Sequence, residues 1–140
     1  MSMIIEMLRV HEGVETHAYK CTADKTTIGV GRNIDPSGGL GLSSDEIDYL
    51  LSNDVKRVSA ELIRAFSWFS ELDEVRKDAM IDMCFNMGLP RLKLFKKSLE
   101  AMANEDYDIA AIEFLDSNWA KQVGGRSIIV TDMIRSGDYR

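Results

Sequence analysis

The chain has 140 residues, 45% of them hydrophobic, and a formal charge of −6. That length supports one substantial core or two small lobes rather than two domains of ordinary size, and the acidic balance argues against bulk attraction to nucleic acid or anionic membranes. The first ten residues carry Glu6 and Arg9 within an apolar stretch and lack a basic leader and a small-residue cleavage site, so no signal peptide is expected. No apolar run approaches the roughly 18 residues of a membrane span. A cytosol is the expected compartment, and Cys21 and Cys84 are expected to stay free thiols there.

Met3, Ile4, Met7, Leu8 and His11 recur at helical spacing, which predicts an amphipathic helix from about Ser2 to Glu12, stopped by Gly13. From Thr16 to Ile34, β-branched and aromatic residues surround the turn-forming Thr22-Ala23-Asp24-Lys25, the pattern of a small antiparallel hairpin. Asp35 to Gly41 reads as a loop. Ser43 or Ser44, followed by Asp45 and Glu46, is a helix N-cap signal, and Ile47, Leu50, Leu51, Val55, Val58 and Leu62 carry one long helix to about Ile63. Beyond Ala65 the pattern is helical, with breaks expected near Ser70, at Gly88-Leu89-Pro90, around Asn104 and at Gly124-Gly125. The fold expected is therefore mostly helical α+β: a small hairpin lobe over about 1–42, a connecting helix over about 43–64, and a helical lobe over about 65–140, all within one domain.

Chemistry concentrates between residues 11 and 32. Glu12 sits at the end of the first helix, where the negative end of the macrodipole favours the neutral, proton-donating carboxyl. After eight residues comes Cys21, and after five more Thr27; flanking a short turn, they can lie on facing strands with both side chains aimed into one cleft. A Thr hydroxyl can hold a water, and a thiol can hold it or take its proton. Gly29 and Gly31 leave backbone bare where a sugar chain could approach. A proton donor on one side and a water-handling pair on the other is what glycoside cleavage requires.

His11-Glu12-Gly13, Tyr19-Lys20-Cys21-Thr22 and Thr27-Ile28-Gly29-Val30-Gly31-Arg32-Asn33 resemble the active-site region of the T-even phage type lysozymes, glycoside hydrolase family 24. That family's motif is Glu, eight residues, Asp or Cys, five residues, Thr. The likeness extends through Leu42 to Glu46, Asn53-Asp54-Val55, Met83 to Gly88, Phe95 to Leu99, Ser117-Asn118-Trp119 and Gly124-Gly125-Arg126. It implies a lysozyme-like two-lobe fold and hydrolysis of the β-1,4 bond between N-acetylmuramic acid and N-acetylglucosamine in bacterial peptidoglycan. Glu12 would be the general acid, Cys21 and Thr27 would position or activate water, and Arg126 would correspond to the arginine that pairs with the catalytic Glu. Phe85 and Ser98 would line the saccharide cleft. Asn33 and Glu113 occupy two further sugar-contact positions, where the residue types differ from the family's best-known member. The resemblance also implies an endolysin, a monomer held in the host cytoplasm until a holin opens the way to periplasm and wall. No cofactor, metal or nucleic acid is implied. The alternative is a non-catalytic peptidoglycan-binding module with a degenerate site.

Cys21 admits three readings: a water-positioning group or base, a nucleophile whose pKa the neighbouring Lys20 lowers, or inert packing with Asp24 or Glu15 doing the work. His11, His17, Cys21 and Glu15 lack the close-spaced pair usual for zinc ligands. Cys84, on a stripe with Met80, Met83 and Met87, reads as core, and Trp68 and Trp119 read as core or interlobe packing rather than sugar platforms. Arg91, Lys93, Lys96 and Lys97 form a local basic cluster, either a solvated face or a helper for wall binding.

Overall fold

The computed structural model describes residues 3–140. Two compact units result, one ending at Leu50 and the other running from Leu51 to Arg140. In the first, helix α1 (Met3–Glu12) is closed by Gly13 at φ 76°; Ser2, its expected first residue, lies outside the described residues. Strands β1 (Glu15–Lys20), β2 (Thr26–Gly29) and β3 (Arg32–Asn33) follow as an antiparallel meander. Tyr19 stands opposite Thr27 and Thr27 opposite Asn33, while the register shifts between Glu15 and Tyr19. The expected hairpin thus has a third strand. Two residues were too few to show a period of two.

The loop after β3 is organised by two side chains. Asp35 accepts the backbone N–H of Thr26 (3.1 Å) through Oδ1 and that of Ser37 (2.9 Å) through Oδ2. Asn33 Oδ1 accepts the Asp35 N–H at 2.9 Å. Gly39 closes this loop so tightly that a Cβ there would lie 2.5 Å from the Asp35 backbone and 2.7 Å from Asn33 Oδ1.

Helix α2 (Ser44–Ala65) begins with the anticipated cap, made by Ser43. Ser43 Oγ accepts the Glu46 N–H (3.2 Å) and Glu46 Oε1 accepts the Ser43 N–H (2.8 Å), a reciprocal capping box. Arg32 reinforces it with paired contacts to Glu46, 2.9 and 2.6 Å long, and donates to the Gly41 carbonyl at 3.1 Å. Ser43→Ala should cost about 1 kcal/mol of stability, read as a lower urea midpoint at unchanged slope.

In the second unit a 3-10 turn (Phe69–Glu71) leads to α3 (Glu74–Met87), α4 (Leu89–Leu92), α5 (Lys96–Ala103), α6 (Tyr107–Leu115), α7 (Asn118–Val123) and α8 (Gly125–Ser136). Helix α8 packs on α3, α6 and α7, around a core that includes Leu62, Met80, Met83, Leu92, Phe114, Trp119 and Ile134. Cys84 is in that core, and burial pushes its thiol pKa up. Trp119 is buried with its indole N–H on Asn86 Oδ1 (2.9 Å), and Trp68 packs on the core rim, stacked on Phe66 at 5.0 Å. The expected break at 88–90 is confined to Gly88, at φ 85°. Pro90 instead sits in the first turn of α4, where no intrahelical N–H is required of it. Two breaks were not anticipated, at 93–95 and 116–117, because neither contains Gly or Pro. The second is marked by Ser117, whose hydroxyl caps α7 at the Ala120 N–H.

Candidate active site

Glu12 ends α1, and the turn at Gly13 brings the chain into β1. Its carboxylate rests against Gly31, in the turn between β2 and β3: a Cβ on Gly31 would fall 2.7 Å from Glu12 Oε2. The glycine pair expected to leave backbone bare therefore divides. Gly29 has open space at its Cβ position, whereas that of Gly31 is taken by Glu12.

Cys21 is not on a strand facing Thr27, as the spacing suggested. It is the first residue of the turn after β1, with its N–H on the Lys25 carbonyl (3.0 Å) and its own carbonyl accepting from Asp24 (2.8 Å). Asp24 adopts φ 61° to close this turn. Thr27, in the middle strand, pairs with Tyr19 instead. The turn still brings the two functional groups together. Hydrogen bonds from the backbone of Lys25 and then of Ala23 hold the half-exposed Cys21 thiol below its ordinary pKa, against an opposing desolvation that outweighs the lesser contribution of the Thr27 hydroxyl.

Thr27 is the only buried residue of the first unit among the described residues, and its hydroxyl donates to the Lys25 carbonyl at 2.8 Å. That single proton can go to Lys25 or to Cys21, not to both. With the proton on Lys25, the oxygen presents lone pairs to a thiol S–H or a water. Lys20, which the nucleophile reading made the acidifier of the thiol, has other partners: its ammonium reaches Thr26 Oγ1 (3.0 Å) and Asp35 (3.8 Å).

Of the rival carboxylates, Asp24 is exposed in the turn and Glu15 is exposed at the start of β1 opposite Gly29. Asp35, not singled out in the sequence, is a carboxylate well supplied with donors. The N–H groups of Thr26 and Ser37 hold its pKa below the usual range, and its oxygens are committed to shaping the loop. Its Asp-Pro placement after a strand was the available signal. Asn33 is half-buried and spends its Oδ1 on that same loop.

The second unit brings Ser98 and Glu113 together in a hollow of about 390 Å³, with Phe95, Lys96, Lys97 and Ser117 beside them. Phe85 lies elsewhere, lining a smaller hollow with Arg126 and Asp82. Arg126 donates through Nε to Asp82 Oδ1 (2.8 Å) and through Nη2 to the Asp82 carbonyl (3.4 Å). Of the basic cluster, Arg91 contacts Gln122 at 3.4 Å, and Lys96 and Lys97 border the Ser98 hollow. Among the described residues no group of His, Cys, Asp and Glu is arranged to hold a metal ion, and no helix is long and apolar enough to cross a membrane.

The family model of phage lysozymes matches residues 9–132. A "Probable T4-type lysozyme 2" of Dictyostelium discoideum is 31% identical over 167 aligned positions, covering 100% of this chain and 98% of that protein. An "Endolysin" of Acyrthosiphon pisum secondary endosymbiont phage 1 is 26% identical, covering 86% of this chain and 81% of its own length. A "SAR-endolysin" of Haemophilus phage HP1 is 28% identical, over 85% of this chain and 60% of its own. A mostly helical α+β fold and these relatives together define a glycoside hydrolase of the lysozyme class, whose substrate is peptidoglycan. The chain belongs to the phage lysozyme family.

Proposed function

We propose that this lysozyme cleaves the β-1,4 bond between N-acetylmuramic acid and N-acetylglucosamine with Glu12 as general acid and Cys21 with Thr27 handling the water. The observation that carries the reading is the seat of the Glu12 carboxylate on the sheet that also bears the Cys21–Thr27 pair. Glu12 gives its proton to the glycosidic oxygen as the bond breaks, so that the leaving sugar departs as an alcohol. Thr27 Oγ1, its own proton on Lys25, accepts a hydrogen bond from the attacking water. Cys21, its thiolate favoured by the turn amides, takes the proton that this water loses.

Arg126 enters as the supporting cation, and Phe85, Ser98, Glu113 and Asn33 as saccharide contacts, on the strength of the family motif. The chain acts as one lysozyme-like domain and as a monomer. It serves as an endolysin that waits in the host cytoplasm, depends on a holin for access, and reaches the wall at lysis.

Incubation with purified peptidoglycan separates this enzyme from a binding module. New reducing ends, with clearing of permeabilised Gram-negative cells, are expected. Pelleting with peptidoglycan but no reducing ends would replace the proposal with a non-catalytic wall binder.

A further inference from the structure

We infer that Gly31 is a positioning residue for Glu12: its missing side chain is the seat that fixes the carboxylate against the turn between β2 and β3. The inference rests on Glu12 being the acid. Glu12 is exposed at a helix end, where a side chain with three torsions has many rotamers available. Gly31, at φ 66°, presents its bare Cα to that side chain, and a Cβ there would lie 2.7 Å from Oε2, 3.1 Å from Cδ and 3.2 Å from Cγ.

The atoms struck belong to the free end of a flexible chain, not to backbone. A methyl group at Gly31 is therefore relieved by swinging Glu12 away rather than by disrupting the sheet. The fold survives and the proton donor leaves its place. Displacement of a reacting group by about 1 Å costs on the order of a hundredfold in rate.

Gly31→Ala also forces alanine into left-handed backbone, and Gly41 supplies the matched control. Gly41 has the same φ of 66°, and its Cβ position has nothing within 4 Å. Gly31→Ala, Gly41→Ala and Glu12→Gln should be compared for reducing-end release from peptidoglycan, peptidoglycan pelleting and unfolding midpoint. Gly31→Ala should lower the maximal rate about a hundredfold beyond Gly41→Ala, with half-saturating peptidoglycan and pelleting unchanged and a midpoint matching that of Gly41→Ala. Full rate in Gly31→Ala, an equal loss in Gly41→Ala, loss of pelleting, or failure of Gly31→Ala alone to fold would each overturn the assignment. An active Glu12→Gln overturns the Glu12 reading and this inference together. An inactive Glu12→Gln beside a fully active Gly31→Ala overturns this inference alone.

Discussion

Glu12→Gln is expected to lower hydrolysis by about a thousandfold while leaving the fold intact, because the amide keeps the shape of a neutral carboxyl but has no acidic proton to give. The substitution is paired with a series at Cys21. Cys21→Asp should retain activity, and Cys21→Ala should weaken it. The pH profile then separates the roles. A base must be ionised, so with Cys21 as base the activity rises with pH through a thiol pKa that the Lys25 and Ala23 backbone amides hold below the ordinary value. Cys21→Asp moves that rise further down, into the carboxylate range. If the thiol only holds water, the Cys21 enzyme shows no such rise. A nucleophile would leave a trapped sugar adduct detectable by mass. Full activity in Cys21→Ala would remove Cys21 from the chemistry and pass its role to Asp24 or Glu15.

Arg76→Ala is expected to harm the fold more than Glu12→Gln or Ser43→Ala. Its side chain is only 16% exposed and serves four neighbours at once. Nε donates to the Ile134 carbonyl (2.6 Å) and Nη2 to the Arg135 carbonyl (3.1 Å), satisfying the C-terminal end of α8. Nη1 meets Asp73 at 2.9 Å, and Asp73 in turn caps α3 through the Arg76 N–H. The guanidinium also lies 3.8 Å from the centroid of the Tyr107 ring on α6.

Charge-assisted bonds at about 1.5 kcal/mol or more each, with a cation–π contact near 1, place the loss at about 3–4 kcal/mol once relaxation is allowed for. That corresponds to roughly 10 °C in melting temperature for a chain of this size. Arg76→Lys should recover less than half, since one ammonium cannot span both carbonyls and the carboxylate. A loss below about 1 kcal/mol in Arg76→Ala would show that these contacts do not hold α8.

Features with a local cause could be read from the chain. The Ser43–Glu46 box acts across a single turn, and the apolar stripe behind it predicted α2 to within two residues of its observed end at Ala65. The Glu-Gly helix end and the turn after β1 were equally visible. Features made by distant partners were not. Arg76 reaches the carbonyls of Ile134 and Arg135 only because α3 and α8 pack together, and nothing near Arg76 in sequence announces it. The Gly31 contact with Glu12 likewise depends on where the meander returns the chain. Lys20 offered itself as an acidifier of Cys21 because it is adjacent, yet its ammonium is engaged by Thr26 and Asp35 across the sheet, and the turn amides act instead.

The groups that chiefly set the acidity of Cys21 are the backbone of Lys25 and Ala23, both within four positions of it along the chain. A peptide amide is supplied by almost any residue, so this acidity is portable: it belongs to a short loop and does not depend on a remote side chain being retained. An aspartate at the loop's first position would enter the same donors, which is why Cys21→Asp is expected to keep activity. A family motif that accepts either residue at this place is the outcome such a loop permits.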